Sequence, residues 1–269
     1  MSILRRRQAR DLGALAVLAA AALGWGVRQA LADELAPLSA ASVHGAFKSE
    51  WHDRQMLRNT TDQVLFGRIY LTERGDAFNP ERDPYYAYTI PAATTLVVED
   101  LYAGLRPDVE GAGTLRLIPD HGQAAPLWRA NMYGKADDKE YGTLVTPFDP
   151  AVEAYHGVGT TLGTILSGSG YRDNPHVVSG PDGLTGTWVY TNGASGNRVE
   201  RPEAVTPNTT KQYTGGVTQL LGFEPEPGGQ LDLVITAGSG RAWLSRMNNA
   251  SNDPAYDEFS VVASPSPIP

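Results

Sequence analysis

The stretch MYGKADDKEY at residues 132–141 is written again, in altered letters, as MNNASNDPAY at 247–256, with Met, Asp and Tyr in matching places. The match extends well beyond these ten residues. Trp128 and Trp243 each stand four residues before their Met, Pro91 to Leu105 spans the same distance as Pro207 to Leu221, and Leu105 to Leu115 the same as Leu221 to Leu231. The offset holds at 115 or 116 throughout this part. Farther upstream, WHDRQMLRNTTDQVLFGRIYLTERG at 51–75 lies opposite YRDNPHVVSGPDGLTGTWVYTNGAS at 171–195 at an offset of 120, with Asp53 facing Asp173, Asp62 facing Asp182, Ile69 facing Val189 and Tyr70 facing Tyr190. The drop from 120 to 116 places four additional residues in the first unit, within GDAFNPERDPYYAYTI, a stretch of turn-forming composition. A fixed period with its insertion confined to a loop is the mark of a duplicated domain. Two copies of one fold are expected.

Period and punctuation indicate which fold. QVLFGRIYL, TLVVEDL, TLRLI and APLWRANMY are short apolar or alternating runs separated by Gly, Pro, Asn and Asp, and TGTWVYT, QLDLVIT and RAWLSRM repeat the habit. Alternation of the kind seen in Thr114-Leu115-Arg116-Leu117 buries one face of a strand. Helical periodicity is scarce: EDLYAGL and TQLLG have the length of single turns. The fold expected is all-β, two tandem antiparallel β-sandwich domains of immunoglobulin-like type. The boundaries expected are a first repeat over 43–147 and a second over 158–263, with linkers at 33–42 and 148–157 and a disordered Pro/Ser tail at 264–269.

The amino terminus reads as an export signal. Arg5, Arg6, Arg7 and Arg10 precede an apolar run from about Leu12 to Val27, and Ala30-Leu31-Ala32 follows as an A-x-A cleavage site, giving a signal peptide over 1–32. The run is shorter than the ~20 residues that span a bilayer, and an uncleaved anchor is the other reading. Export implies a periplasmic, extracellular or cell-surface location. With 30 acidic against 22 basic residues, the net charge of −8 argues against a phosphate-neutralising surface, so neither nucleic acid nor, after cleavage, a membrane is an expected partner. Cysteine is absent, which removes disulfides, thiolate nucleophiles and Cys-based metal sites together.

The order YRDNPHVVS, TPNTTKQYTGGVTQLLG, GGQLDLVITAGSG and WLSRMNNASNDPAY resembles the tandem immunoglobulin-like β-sandwich modules of secreted bacterial surface proteins. The resemblance covers most of residues 45–262 and carries no catalytic residues. It implies a structural, adhesion or assembly role, with other surface proteins or glycans as partners.

Candidate chemistry competes with structural readings at each place. Asn248, Asn249, Asn252, Asp253, Asp257 and Glu258 supply oxygens suited to Ca²⁺, and Asp137, Asp138 and Glu140 do so in the first copy. The same Asn and Asp also build hairpin turns by capping their own backbone, in which case no cofactor is bound. Asp137, Asp138, Asn252 and Asp253 are the candidate metal ligands. Tyr85, Tyr86 and Tyr88, in the Tyr-rich loop 75–90 that carries the insertion, are the candidate glycan-stacking residues. Trp128 and Trp243, at equivalent repeat positions, are expected in the cores. The five histidines show no H-x-x-x-H or H-E-x-x-H spacing, no G-x-S-x-G elbow occurs, and His52-Asp53 are strand neighbours on opposite faces. The chain is expected not to be an enzyme. An exported carbohydrate-binding or carbohydrate-active protein using loop 75–90 is the alternative.

Overall fold

A computed structural model describes residues 33–44, 50–136, 139–149, 158–161, 165–168, 170–250 and 254–262. The expected signal peptide at 1–32 and the expected tail at 264–269 lie outside them. Strands dominate, and all paired strands are antiparallel. The first half runs β1 (Glu34–His44), β2 (Glu50–Arg58), β3 (Leu65–Glu73), β4 (Tyr85–Ile90), β5 (Thr95–Glu99), α1 (Leu101–Leu105), β6 (Gly111–Pro119), β7 (Leu127–Ala136) and β8 (Lys139–Val145). The second runs β9 (Val158–Thr161), β10 (Tyr171–Thr191), β11 (Arg198–Val205), β12 (Thr210–Gln212), α2 (Gly216–Leu221), β13 (Gln230–Asn248) and β14 (Pro254–Val262). EDLYAGL and TQLLG form the two short helices.

The elements follow the same order in both halves once β10 is set against β2 plus β3, and β13 against β6 plus β7. β3 pairs with β4 and β2 with β5; β10 pairs with both β11 and β12. Long strands replace the short ones expected in the second half because two glycines carry the bend. Gly183 and Gly238 both have φ in the left-handed region, at 75° and 70°, and stand beside the bulge where the pairing jumps from Ser179 to Leu184. Only glycine takes that backbone without strain.

In the first half, the eight-stranded sheet has the order β4-β3-β6-β1-β2-β7-β8, with β5 beside β2. It closes over a core that draws Ile69 and Leu71 from β3, Leu115 and Leu117 from β6, and Leu57 and Trp128 from β2 and β7. This β-sandwich-like packing follows from the alternation: β3 and β6 send their apolar residues to one side, toward those of β2 and β7. Each such side chain, removed from water, contributes roughly 1.5–3 kcal/mol. The second core gathers Val177, Trp188, Leu221, Leu233, Ala242 and Leu244.

The expected linker 33–42 is instead part of β1. Ala36, Ala40 and Ala41 are buried, and their small side chains let this strand run between β6 and β2 at close range. A run of small residues has the composition of a linker and the packing of a central strand. The linker expected from 148 likewise starts in the fold, because Phe148 exchanges two backbone hydrogen bonds with Leu35 and is 3 % exposed.

Trp188 brings a polar handle into the second core. Its Nε1–H donates to Glu203 Oε2 at 2.7 Å, and the Tyr213 hydroxyl and Lys211 ammonium also donate to Glu203, which is itself buried. Glu203→Ala is expected to lower stability by about 2–3 kcal/mol, because it strands a buried indole N–H and a phenol. Urea unfolding reads this directly. A loss under about 0.5 kcal/mol would mean that water reaches those donors.

Candidate functional site

The two halves meet along a seam. Gly75 N–H donates to the Thr210 carbonyl and Phe78 N–H to the Asn208 carbonyl, both at 3.1 Å, while Thr114 and Thr210 join hydroxyls at 2.7 Å. The four additional residues of the first unit fall in this segment. The loop expected to carry a ligand site therefore grips the second half, and Thr72 and the Asn79 backbone brace it through the buried Asp83 carboxylate. Leu35, Leu38, Phe148, Val178 and Trp243 close a small apolar cluster between the halves.

Trp243 is buried, at 2 % exposure, but not in the place expected of it. Trp128 pairs with Leu57 and faces the first core; in the second half, Val177 pairs with Ala242, while Trp243 pairs with His176. The strand register is displaced by one residue relative to the sequence correspondence. Because side chains alternate, such a slip sends a residue to the other face. Trp243 consequently points into the seam, and Trp188 fills the second core.

Next to that tryptophan the seam opens into a cavity of about 360 Å³. Its apolar wall includes Leu38, Val43, Trp51 and Met132 from the first half, and Trp243 and Met247 from the second. The two methionines that open the repeated stretches thus line one space. Its polar side is formed by alternate residues of β10 and β13: Arg172, Asn174 and His176 on one, Ser245 on the other. Arg74 and Gln212 lie at the edge, joined at 2.9 Å.

The His176 ring stacks on Trp243, with centroids 4.8 Å apart, and its Nε2 lies 2.8 Å from Ser245 Oγ. Burial, with the nearby Arg74 charge adding to it, pushes the imidazole down to about 3, so it is neutral at ordinary pH. His176 Nδ1 and Asn174 Oδ1 are both buried without a hydrogen-bond partner. Nearly all buried polar atoms in folded proteins are satisfied, so these two residues, both lining the cavity, keep unused hydrogen-bonding capacity there.

The buried carboxylates are engaged elsewhere. Asp53 accepts from the backbone N–H groups of Leu101 and Tyr102, fixing the start of α1, and desolvation raises it to about 6. Asp173, also fully buried, accepts from Leu166 and Ser167 N–H and from Arg246 Nε at 2.6 Å. The repeated aspartates hold different loops in the two halves. His52 pairs with Asp100 at 2.7 Å and stacks on Tyr133, away from Asp53.

Of the candidate stacking residues, only Tyr85 is open to solvent, at 46 % exposure, with the Arg68 guanidinium over its ring. Tyr86 packs partly against the first core and Tyr88 is buried in it. The segment is strand β4, not a loop, and its alternation turns Tyr86, Tyr88 and Ile90 in different degrees toward the interior. No coplanar aromatic platform forms there. Asp137, Asp138, Asn252 and Asp253 lie outside the described residues; among the described residues no three His, Asp or Glu side chains are grouped to hold a metal ion.

Compared with protein-family models, with curated proteins and with solved structures, the chain matches none. The site's chemistry rests on its own side chains. Sequence reasoning missed His176, Asn174 and Ser245, which are scattered in sequence. The one available signal was the mixed run DNPHVVS, in which Asp, Asn and His stand directly before two valines.

Proposed function

We propose that the chain is an exported, non-catalytic β-sandwich protein serving surface structure, adhesion or assembly. The seam supports this reading: a dedicated insertion, backbone hydrogen bonds and a shared apolar cluster join the two halves stiffly. Modules that transmit position or load between surfaces need such joints. The buried ionisable groups point the same way. Asp53, Asp173 and Glu203 are each used to hold strands and loops, and the cavity's histidine is held neutral, a poor arrangement for proton transfer.

The test is expression of the full chain in a bacterial host, followed by cell fractionation and intact-mass analysis. The expected product is an exported protein beginning at Asp33. Full-length protein confined to the cytoplasm would overturn the reading.

A further inference from the structure

We infer that the seam cavity binds a small amphipathic organic anion, an apolar body of roughly ten non-hydrogen atoms ending in a carboxylate. The inference stands independently of the export and assembly reading, because it rests on the cavity alone.

Apolar and polar groups stand side by side along the cavity, Met247 paired with Arg172 and Trp243 with His176 across β13 and β10. Trp51, Met132, Trp243 and Met247 provide broad, adaptable apolar surface suited to an alkyl or aromatic body. Arg172, beside Met247, and Arg74, bonded to Gln212, both line the cavity and are exposed, so a guanidinium can turn toward a bound ligand. Among the described residues neither forms an ion pair with a carboxylate, and no described side chain lining the cavity is acidic. In a chain of net charge −8 this is a local inversion of sign. Charge complementarity therefore selects an anion over a neutral or cationic ligand of equal size.

The buried polar atoms supply the remaining recognition. When His176 Nε2 accepts from the Ser245 hydroxyl, Nδ1 carries the ring proton and is a donor without an acceptor. The Asn174 amide offers a second polar group beside it, bonded only weakly to Ser245 at 3.5 Å. The His176 Nδ1–H donor and two guanidinium groups form a carboxylate-binding set, while Asn174 Oδ1 is an acceptor and adds nothing to it. The low histidine pKa agrees with the positive potential that Arg74 imposes there.

The test is calorimetric titration of the purified mature chain with octanoate, octan-1-ol and octylammonium, with quenching of tryptophan emission as an independent readout. Octanoate is expected to bind about tenfold or more tightly than octan-1-ol, with octylammonium weakest. Arg172→Gln, at an exposed position, should cut octanoate affinity about tenfold and leave octan-1-ol unchanged; Arg74→Gln should act in the same sense if one variant folds poorly. Thr143→Trp, at a half-buried position lining the cavity, should abolish both. Equal affinity for the acid and the alcohol, octanoate binding unaffected by either arginine variant, or no binding of octanoate at millimolar concentration would each overturn the inference.

Discussion

Trp243→Ala is expected to lower unfolding free energy by about 3–5 kcal/mol, the cost of removing a buried tryptophan from a packed site. The indole packs against Leu35, Leu38, Phe148 and Val178 and under the His176 ring, so the cavity left by truncation lies between the halves rather than inside either one. Its signature should differ from that of Trp128→Ala, a change of similar size in the first core. Losing Trp243 weakens the coupling of the halves, and urea unfolding should separate into two transitions; losing Trp128 should destabilise the first half while the second keeps its own midpoint. Equilibrium denaturation followed by both far-UV dichroism and fluorescence distinguishes these outcomes. A loss below about 1 kcal/mol for Trp243→Ala would contradict its burial at the seam.

Acid should act through His176. Its folded pKa is depressed to about 3 from a usual value near 6.5, so the unfolded chain binds the proton more readily. Its contribution to stability is complete above about pH 6.5 and falls steadily as pH drops from there toward 3, by on the order of 5 kcal/mol in all. Asp53 opposes it. With a folded pKa raised to about 6, its carboxyl favours the folded state when protonated, and stability from this group grows as pH falls from 6 toward 4. The histidine has the larger shift and prevails. His176→Phe keeps the stack on Trp243 while removing the titration, so between pH 6.5 and 5 the wild type should lose about 2 kcal/mol relative to this variant. Parallel stability curves for the two proteins would show that His176 is protonated in the folded state.

The all-β class was legible because it depends on local pattern. Alternation in Thr114–Leu117 and the Gly and Pro punctuation mark the strands, but the polar face expected to be open is buried too, Thr114 and Arg116 lying against Thr210 and Asn208 at the seam. Recurrence of the elements was visible too, since Asp53 and Asp173 keep their places on corresponding strands. The cavity was not legible, for a definite reason. The correspondence of Trp128 with Trp243 holds in the letters but fails in the register, and one residue of slip exchanges interior for seam. Burial alone was therefore inferable for Trp243, and its surroundings were not. Tyr88 shows the same limit: three tyrosines in YYAY resemble an exposed cluster until strand alternation assigns each to a face.

The joint at Gly75–Phe78 has a directional consequence. The gripping segment belongs to the first half, its receiving edge at Asn208–Thr210 belongs to the second, and the second half has no counterpart of the four inserted residues. Such a contact is heterologous, the kind that would propagate as a filament if every unit carried both surfaces. The second half lacks the four inserted residues, so it has no copy of this gripping loop with which to hold a further module in the same way.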